Sequence, residues 1–267
     1  MASDRFSVMA QQPEVADSAA QARAAVDELL WNRAVRRAGP ALAAESALVG
    51  AWCDAAFEGA ETSLESLRAG TLEDSPMGRV AARAVSMYAR IPELARVWDT
   101  APGQVLAGLH STVASGMRPD EDIGRPRSTD IADDPLRLPP APLGAEAAER
   151  LARLTRCLGS WSQAPAIVVA GFVHGEIASL RPFSWGSGLV ARAMTRLVLR
   201  AKGVDPDSFS IPEAGFRALG RPRYVAALRG FGSGEVAGVT RWLCLHNEAV
   251  RIGAREAAAR AAELAES

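Results

Sequence analysis

Lysine is almost missing from this chain: Lys202 is the only one among 30 basic residues, and the rest are arginine. Two readings stand for that bias, a GC-rich genome or an arginine-specific binding role. No charge of either sign is in excess, since 31 acidic residues balance the 30 basic ones to a formal net charge of −1. That balance removes any global electrostatic reason to expect a nucleic acid or an anionic membrane as partner. Cysteine is scarce and odd in number, with Cys53, Cys157 and Cys244 scattered and no CxxC. A disulfide framework and a cysteine-based zinc site are both excluded by that spacing, and reduced thiols acting as small apolar core residues are expected. No uninterrupted apolar run approaches the roughly 20 residues a membrane span needs. The first 20 residues lack a basic stretch followed by an apolar one, so no signal peptide is expected and a cytoplasmic location is.

What is abundant is alanine, in long runs, within a chain that is 48% hydrophobic, 23% charged and only 6% aromatic. That composition favours helix throughout, and 267 residues suffice for one large domain or two small ones. Residues 1–15 read as a frayed polar lead. Helical spacing then runs from Asp17 to Arg37, is broken by Gly39-Pro40, and resumes from Ala41 to Phe57. A short helix capped by Thr62 or Ser63 follows. Further helices are predicted over Gly78–Ala95, Pro102–Ala114, Gly144–Ser160, Pro165–Leu180 and Leu189–Lys202. Residues 203–222 read as irregular, then come a short helix over Tyr224–Gly230 and a long one over Thr240–Glu266. Residues 115–143, rich in Pro, Asp, Arg and Gly, lack periodicity. They form a connection or flap, longer than a passive link needs, with room for a small hairpin. The expectation is an all-α fold, one domain with an N-terminal helical extension. Trp98, Trp161 and Trp242 read as core.

The stretch Arg181–Arg192 reads RPFSWGSGLVAR. It resembles the signature loop of the Fic family, HPFx[D/E]GNGRxxR, with its working parts replaced. The lead-in VVAGFVHGEIASL is similar to the family's helix with an internal histidine, here His174. RLPPAPLGAEAAERLARL resembles the step after the family's flap, SALVGAWCDAAFEGAETSLESL the segment that carries an inhibitory glutamate, and GVTRWLCLHNEAVRIGAREA the final helix. On that resemblance residues 1–100 are the N-terminal helical extension with the inhibitory-like segment, and 101–267 the Fic-like core.

Family members typically transfer a nucleotide monophosphate, most often AMP, to a target hydroxyl, so the resemblance implies where such chemistry would sit. A general base must exchange a proton near neutral pH. Arg181 occupies the base position, and a guanidinium stays protonated. It reads either as a surface or packing cation or as an anion contact. Trp185 stands where an acid would hold magnesium, and an indole offers no oxygen ligand. It reads as filling the volume of the nucleotide and metal, or as a stacking face. Ser187 replaces the loop asparagine, and Leu189 the first motif arginine. The expectation is loss of AMP transfer, with no catalytic residue and no metal, and a role as a binding, regulatory or structural module. The alternative is an active transferase of a nucleotide monophosphate or other phospho-group with a substitute base, for which His174 is the candidate.

Gly186, Ser187, Gly188 and Arg192 survive as an anion site at a helix N-terminus, where free N–H groups and the dipole attract negative charge, or as a plain tight turn. No resident cofactor is expected, although a nucleotide such as ATP stays open. In the family's inhibitory pattern [S/T]xxxE[G/N] the glutamate bonds the second motif arginine. DAAFEG carries Glu58 and Gly59, with Asp54 where the hydroxyl belongs, and a partly buried, bidentate Glu58–Arg192 ion pair is predicted. The three histidines, His110, His174 and His246, fall on separate helices and read as satisfied core or surface groups. Arg192, Arg196 and Arg200, and the cluster Arg217, Arg221, Arg223 and Arg229, read as solvated faces or as partners of carbonyls and carboxylates. A protein partner and homo-oligomers stay open.

Overall fold

The computed structural model describes residues 5–159 and 164–266. Trp161 and Ser160 lie outside them. Among the described residues there are twelve α-helices, one 3-10 turn at Asp120–Asp122 and no strand. The helix α8 (Ala166–Leu180) explains the layout. Its sequence AIVVAGFVHGEIASL is apolar on nearly every face, and such a helix belongs inside. It is sheathed by α2 (Pro13–Trp31), α7 (Gly144–Gly159), α9 (Ser187–Ala201), α11 (Arg221–Gly232) and α12 (Val236–Glu266). Glycine lets α12 come close, because a Cβ at Gly175 would lie 2.7 Å from the Trp242 indole nitrogen. That indole donates to the Gly171 carbonyl at 2.7 Å. Trp242 is fully buried, which is worth about 5 kcal/mol of gross apolar transfer.

α3 (Arg33–Phe57) and α5 (Pro76–Ala95) pack against each other and against α9, and α3 also lines α12. The expected break at Gly39-Pro40 is a kink inside α3, with Gly39 at φ 33°. The chain actually restarts at Asn32, whose side chain caps α3 by accepting from the Ala34 amide at 2.8 Å. α4 (Leu64–Ala69) is capped by Ser63, and α6 runs over Pro102–Ala114 as expected. Three expectations need correction. The lead is helical, with α1 at Arg5–Ala10, because Met9 and Val15 find the core. The segment 203–222 holds α10 (Pro212–Leu219), anchored by Phe216. Cys157 is exposed, whereas Cys53 is buried and its thiol is pushed up to about 12 by that burial.

The flap forms no hairpin. Pro119, Pro126, Pro135, Pro139, Pro140 and Pro142 cannot donate to a ladder. Its backbone instead bonds the signature loop, Arg127 N–H to the Pro182 carbonyl at 2.7 Å and Asp133 N–H to the Ser184 carbonyl at 3.1 Å.

Candidate functional site

α8 ends on Arg181, which adopts a left-handed conformation at φ 44° and ψ 63° while its N–H still bonds the Ile177 carbonyl at 2.9 Å. A non-glycine residue there costs on the order of 1–3 kcal/mol and needs compensation from its surroundings. The side chain supplies some of it. Arg181 is 5% exposed, its Nη1 pairs with Asp134 at 2.7 Å, and its Nη2 donates to the Pro139 carbonyl. Arg181 is thus a packing cation whose anion is the flap's own carboxylate.

The turn that follows is fixed from within. Phe183 is buried and stacks on His110, ring centroids 3.9 Å apart. His110 Nε2–H donates to the Trp185 carbonyl at 3.1 Å while Nδ1 accepts from the Gly124 amide at 2.9 Å. Burial lowers this imidazole to about 4, so it stays neutral and that tautomer holds. The Ser187 hydroxyl accepts from the Phe183 amide at 3.1 Å and donates to its carbonyl at 3.3 Å. Gly186, at φ 74°, makes the sharp entry into α9.

Glu58 faces that entry. A Cβ added at Gly188 would sit 2.6 Å from Glu58 Oε1, so a carboxylate of this chain lies against the positive end of α9. Glu58 accepts from Arg192 Nη2 as predicted. The contact is monodentate, because Arg192 Nε bonds Asp54 Oδ1 instead. Asp54 is the residue that the sequence reading left unused. It lies in the last turn of α3, four positions before Glu58 at the helix's C-terminal cap, which places both carboxylates on one side. Its other oxygen accepts from Tyr88 at 3.0 Å.

One guanidinium between the fully buried carboxylate of Asp54 and the largely buried one of Glu58 leaves a net negative charge. Burial accordingly raises Asp54 to about 7 against the pull of Arg192, and it raises Glu58 as well. Burial alone would lower the Arg192 guanidinium, but Asp54 and Glu58 reverse this and hold it charged. Of the two readings of the Arg192–Arg200 face, pairing with carboxylates and carbonyls holds at Arg192 and Arg196, and the solvated one is corrected there. Arg192 and Arg196 are buried, Arg196 on Glu213 at 2.9 Å and on the Ser208 and Ser46 carbonyls at 2.8 and 3.0 Å. Periodicity counts apolar positions, and a buried arginine with a distant carboxylate leaves no mark in it.

His174 and His246, on separate helices, meet across Thr195. One assignment satisfies the whole chain of contacts. Tyr224 O–H donates to His174 Nε2 at 2.7 Å, His174 Nδ1–H to Thr195 at 3.0 Å, and the Thr195 hydroxyl to His246 Nε2 at 3.1 Å. His246 Nδ1–H then faces Asn247 Oδ1 at 3.5 Å, the Asn247 amide donates to Ser18 at 2.9 Å, and Ser18 donates to the Val15 carbonyl at 3.1 Å. Burial keeps both imidazoles neutral, His246 at about 4 and His174 well below its usual value. Both ring nitrogens of His174 are engaged inside the core.

Beside Gly188 a cavity of only about 20 Å³ remains, lined by Glu58, Arg181 and the flap residues Asp133, Asp134, Pro135, Leu136 and Leu138. Flap and glutamate close this space; half-buried Trp185 does not line it. The family's magnesium does not fit the donors here, since residue 185 offers no oxygen. Among the described residues no group of three or more His, Cys, Asp or Glu side chains is placed to hold a metal ion. No helix among them is long and apolar enough to cross a membrane.

No protein-family model and no curated protein matches the chain. Solved structures do. A Fic family protein from Desulfovibrio desulfuricans G20 superposes with a TM-score of 0.74 at 19% identity, covering 93% of this chain and 75% of that one. Residues 134–508 of Fic-1 from C. elegans give 0.65 at 18% identity, covering 91% and 72%. Likeness at these identities is likeness of fold, and the chain has the Fic fold.

Proposed function

We propose that this Fic-fold chain does not transfer AMP and serves in the cytoplasm as a protein-binding or regulatory module. The observation that carries this reading is the state of Arg181. The residue at the base position is a buried cation closed onto Asp134, and a guanidinium cannot take a proton from a hydroxyl. Two further features support it. Position 185 provides no oxygen for a metal, and Arg192 is already neutralised by Asp54 and Glu58, so a phosphate at its remaining Nη1 would meet two carboxylates on the same guanidinium. A substitute base would have to come from His174, whose two nitrogens serve Tyr224 and Thr195. No resident cofactor is part of this reading.

The test is nucleotide binding by calorimetry with and without magnesium, together with transfer of label from α-labelled ATP to protein. No transfer and no magnesium-dependent affinity are expected. Micromolar, magnesium-dependent ATP binding or labelled product would refute the reading and favour a transferase with non-standard residues.

A further inference from the structure

The flap is held by an unusual set of donors. Arg181 grips the Asp134 carboxylate and the Pro139 carbonyl. Arg221, at the start of α11, donates to the Pro135 carbonyl, and Arg229, two turns on, to the Arg137 carbonyl at 2.9 Å. Between these contacts the flap makes a turn, with Arg137 N–H on the Asp134 carbonyl at 3.3 Å. Three guanidiniums from two elements thus converge on one six-residue peptide turn that bears a carboxylate. A surface that grips a turn of its own chain in this way has the donors of a peptide receptor.

The occupant fits imperfectly. Arg181 Nε is buried and has no acceptor. Arg137 is forced to φ 54°, at a cost on the order of 1–3 kcal/mol. Partial desolvation, with the like charge of neighbouring Asp134, pushes up the carboxyl of exposed Asp133. Arg221 and Arg229 are exposed and bond neutral carbonyls, although bonds from guanidinium to an oxyanion are roughly twice as strong. Besides these bonds the turn is held by Leu136, buried in the core with Leu138 packed beside it, and by its tether, which gives an effective concentration in the millimolar range.

We propose that Arg181, Arg221 and Arg229 form a receptor for an acidic, proline-containing turn of a partner protein, and that flap residues 134–139 are its internal, exchangeable occupant. This deepens the reading of the chain as a binding module and rests on it. The partner segment would present a carboxylate to Arg181 in place of Asp134 and outward carbonyls or further carboxylates to Arg221 and Arg229.

The test uses the flap's own sequence in trans, as a fluorescent peptide spanning residues 131–141, with the full chain. Asp134→Asn weakens the resident turn, and this variant should bind the peptide at least tenfold more tightly than the unaltered chain does. A peptide carrying Asn at its own 134 position should bind at least tenfold more weakly, and Arg221→Gln in the Asp134→Asn background should lose most of the binding. Arg221 is exposed, so this variant keeps the test independent of folding. Hydrogen exchange at the Arg127 and Asp133 amides, now bonded to Pro182 and Ser184, should accelerate when peptide binds. Equal affinity of the Asp and Asn peptides, no gain in the Asp134→Asn chain, or displacement by pyrophosphate with no preference among peptides would overturn the proposal. Labelled AMP transfer, by contrast, would refute the inactive reading and leave these peptide results as they stand.

Discussion

The polar chain from Tyr224 to Ser18 permits a quantitative test through His246. Its imidazole is fully buried and lowered from 6.5 to about 4, so unfolding takes up a proton in that interval. The sign follows. A group whose folded value is depressed gives full stability above its unfolded value, and that stability is lost as the pH falls toward the folded one. At pH 6.5 the loss is about 0.4 kcal/mol, and at pH 5 it is about 2 kcal/mol, from RT ln of the ratio of the two binding polynomials. His246→Gln keeps an acceptor for the Thr195 hydroxyl, through its side-chain oxygen, but cannot titrate. The variant will be less stable at pH 6.5, because its geometry is poorer, and the deficit should shrink by about 1.5 kcal/mol on going to pH 5. Urea unfolding of both proteins at the two pH values measures this, and the difference between them cancels Asp54, which titrates the opposite way. A deficit that is the same at both pH values would show that His246 is not held neutral, and the directional assignment of the chain would fall with it.

Asp54 supplies the opposite slope. Its folded value, raised by burial to about 7, gives stability that is full below about pH 4 and lost as the pH rises through 7; in Asp54→Asn this decline should flatten by up to about 1.4 kcal/mol per pH unit, read from unfolding midpoints between pH 5 and 7. Phe183→Ala removes a buried ring stacked on His110 and should cost about 3–5 kcal/mol in denaturant unfolding. Gly188→Ala places a methyl 2.6 Å from Glu58 Oε1; a loss of about 1–3 kcal/mol is expected, most of it relieved in a Glu58→Ala background. Arg181→His should give no labelled AMP transfer from ATP with magnesium, since residue 185 still offers no oxygen ligand.

The parts of this molecule that were legible in its sequence are those set by local spacing. α6 starts at Pro102 and ends at Ala114 where periodicity put it, and Glu58 meets Arg192. Asp54 was readable in principle, since a carboxylate one helical turn before Glu58 shares its face. The flap and the buried arginines were not. Nothing local states that the Pro135, Arg137 and Pro139 carbonyls will each find a guanidinium, or that Arg196 will meet Glu213. Those pairings are made by tertiary convergence. They also bear on how the replaced loop residues act together. Arg181 is buried against Asp134, so a neutral histidine there would leave a mostly buried carboxylate without its cation, a loss of about 3–5 kcal/mol when a buried pair is broken from one side. Arg181→His therefore undoes the flap's anchor without assembling a reaction. Arg181, Asp134 and the flap turn form one unit with its own internal charge balance, and reverting the motif residue by residue should destabilise the closed flap before it restores any chemistry.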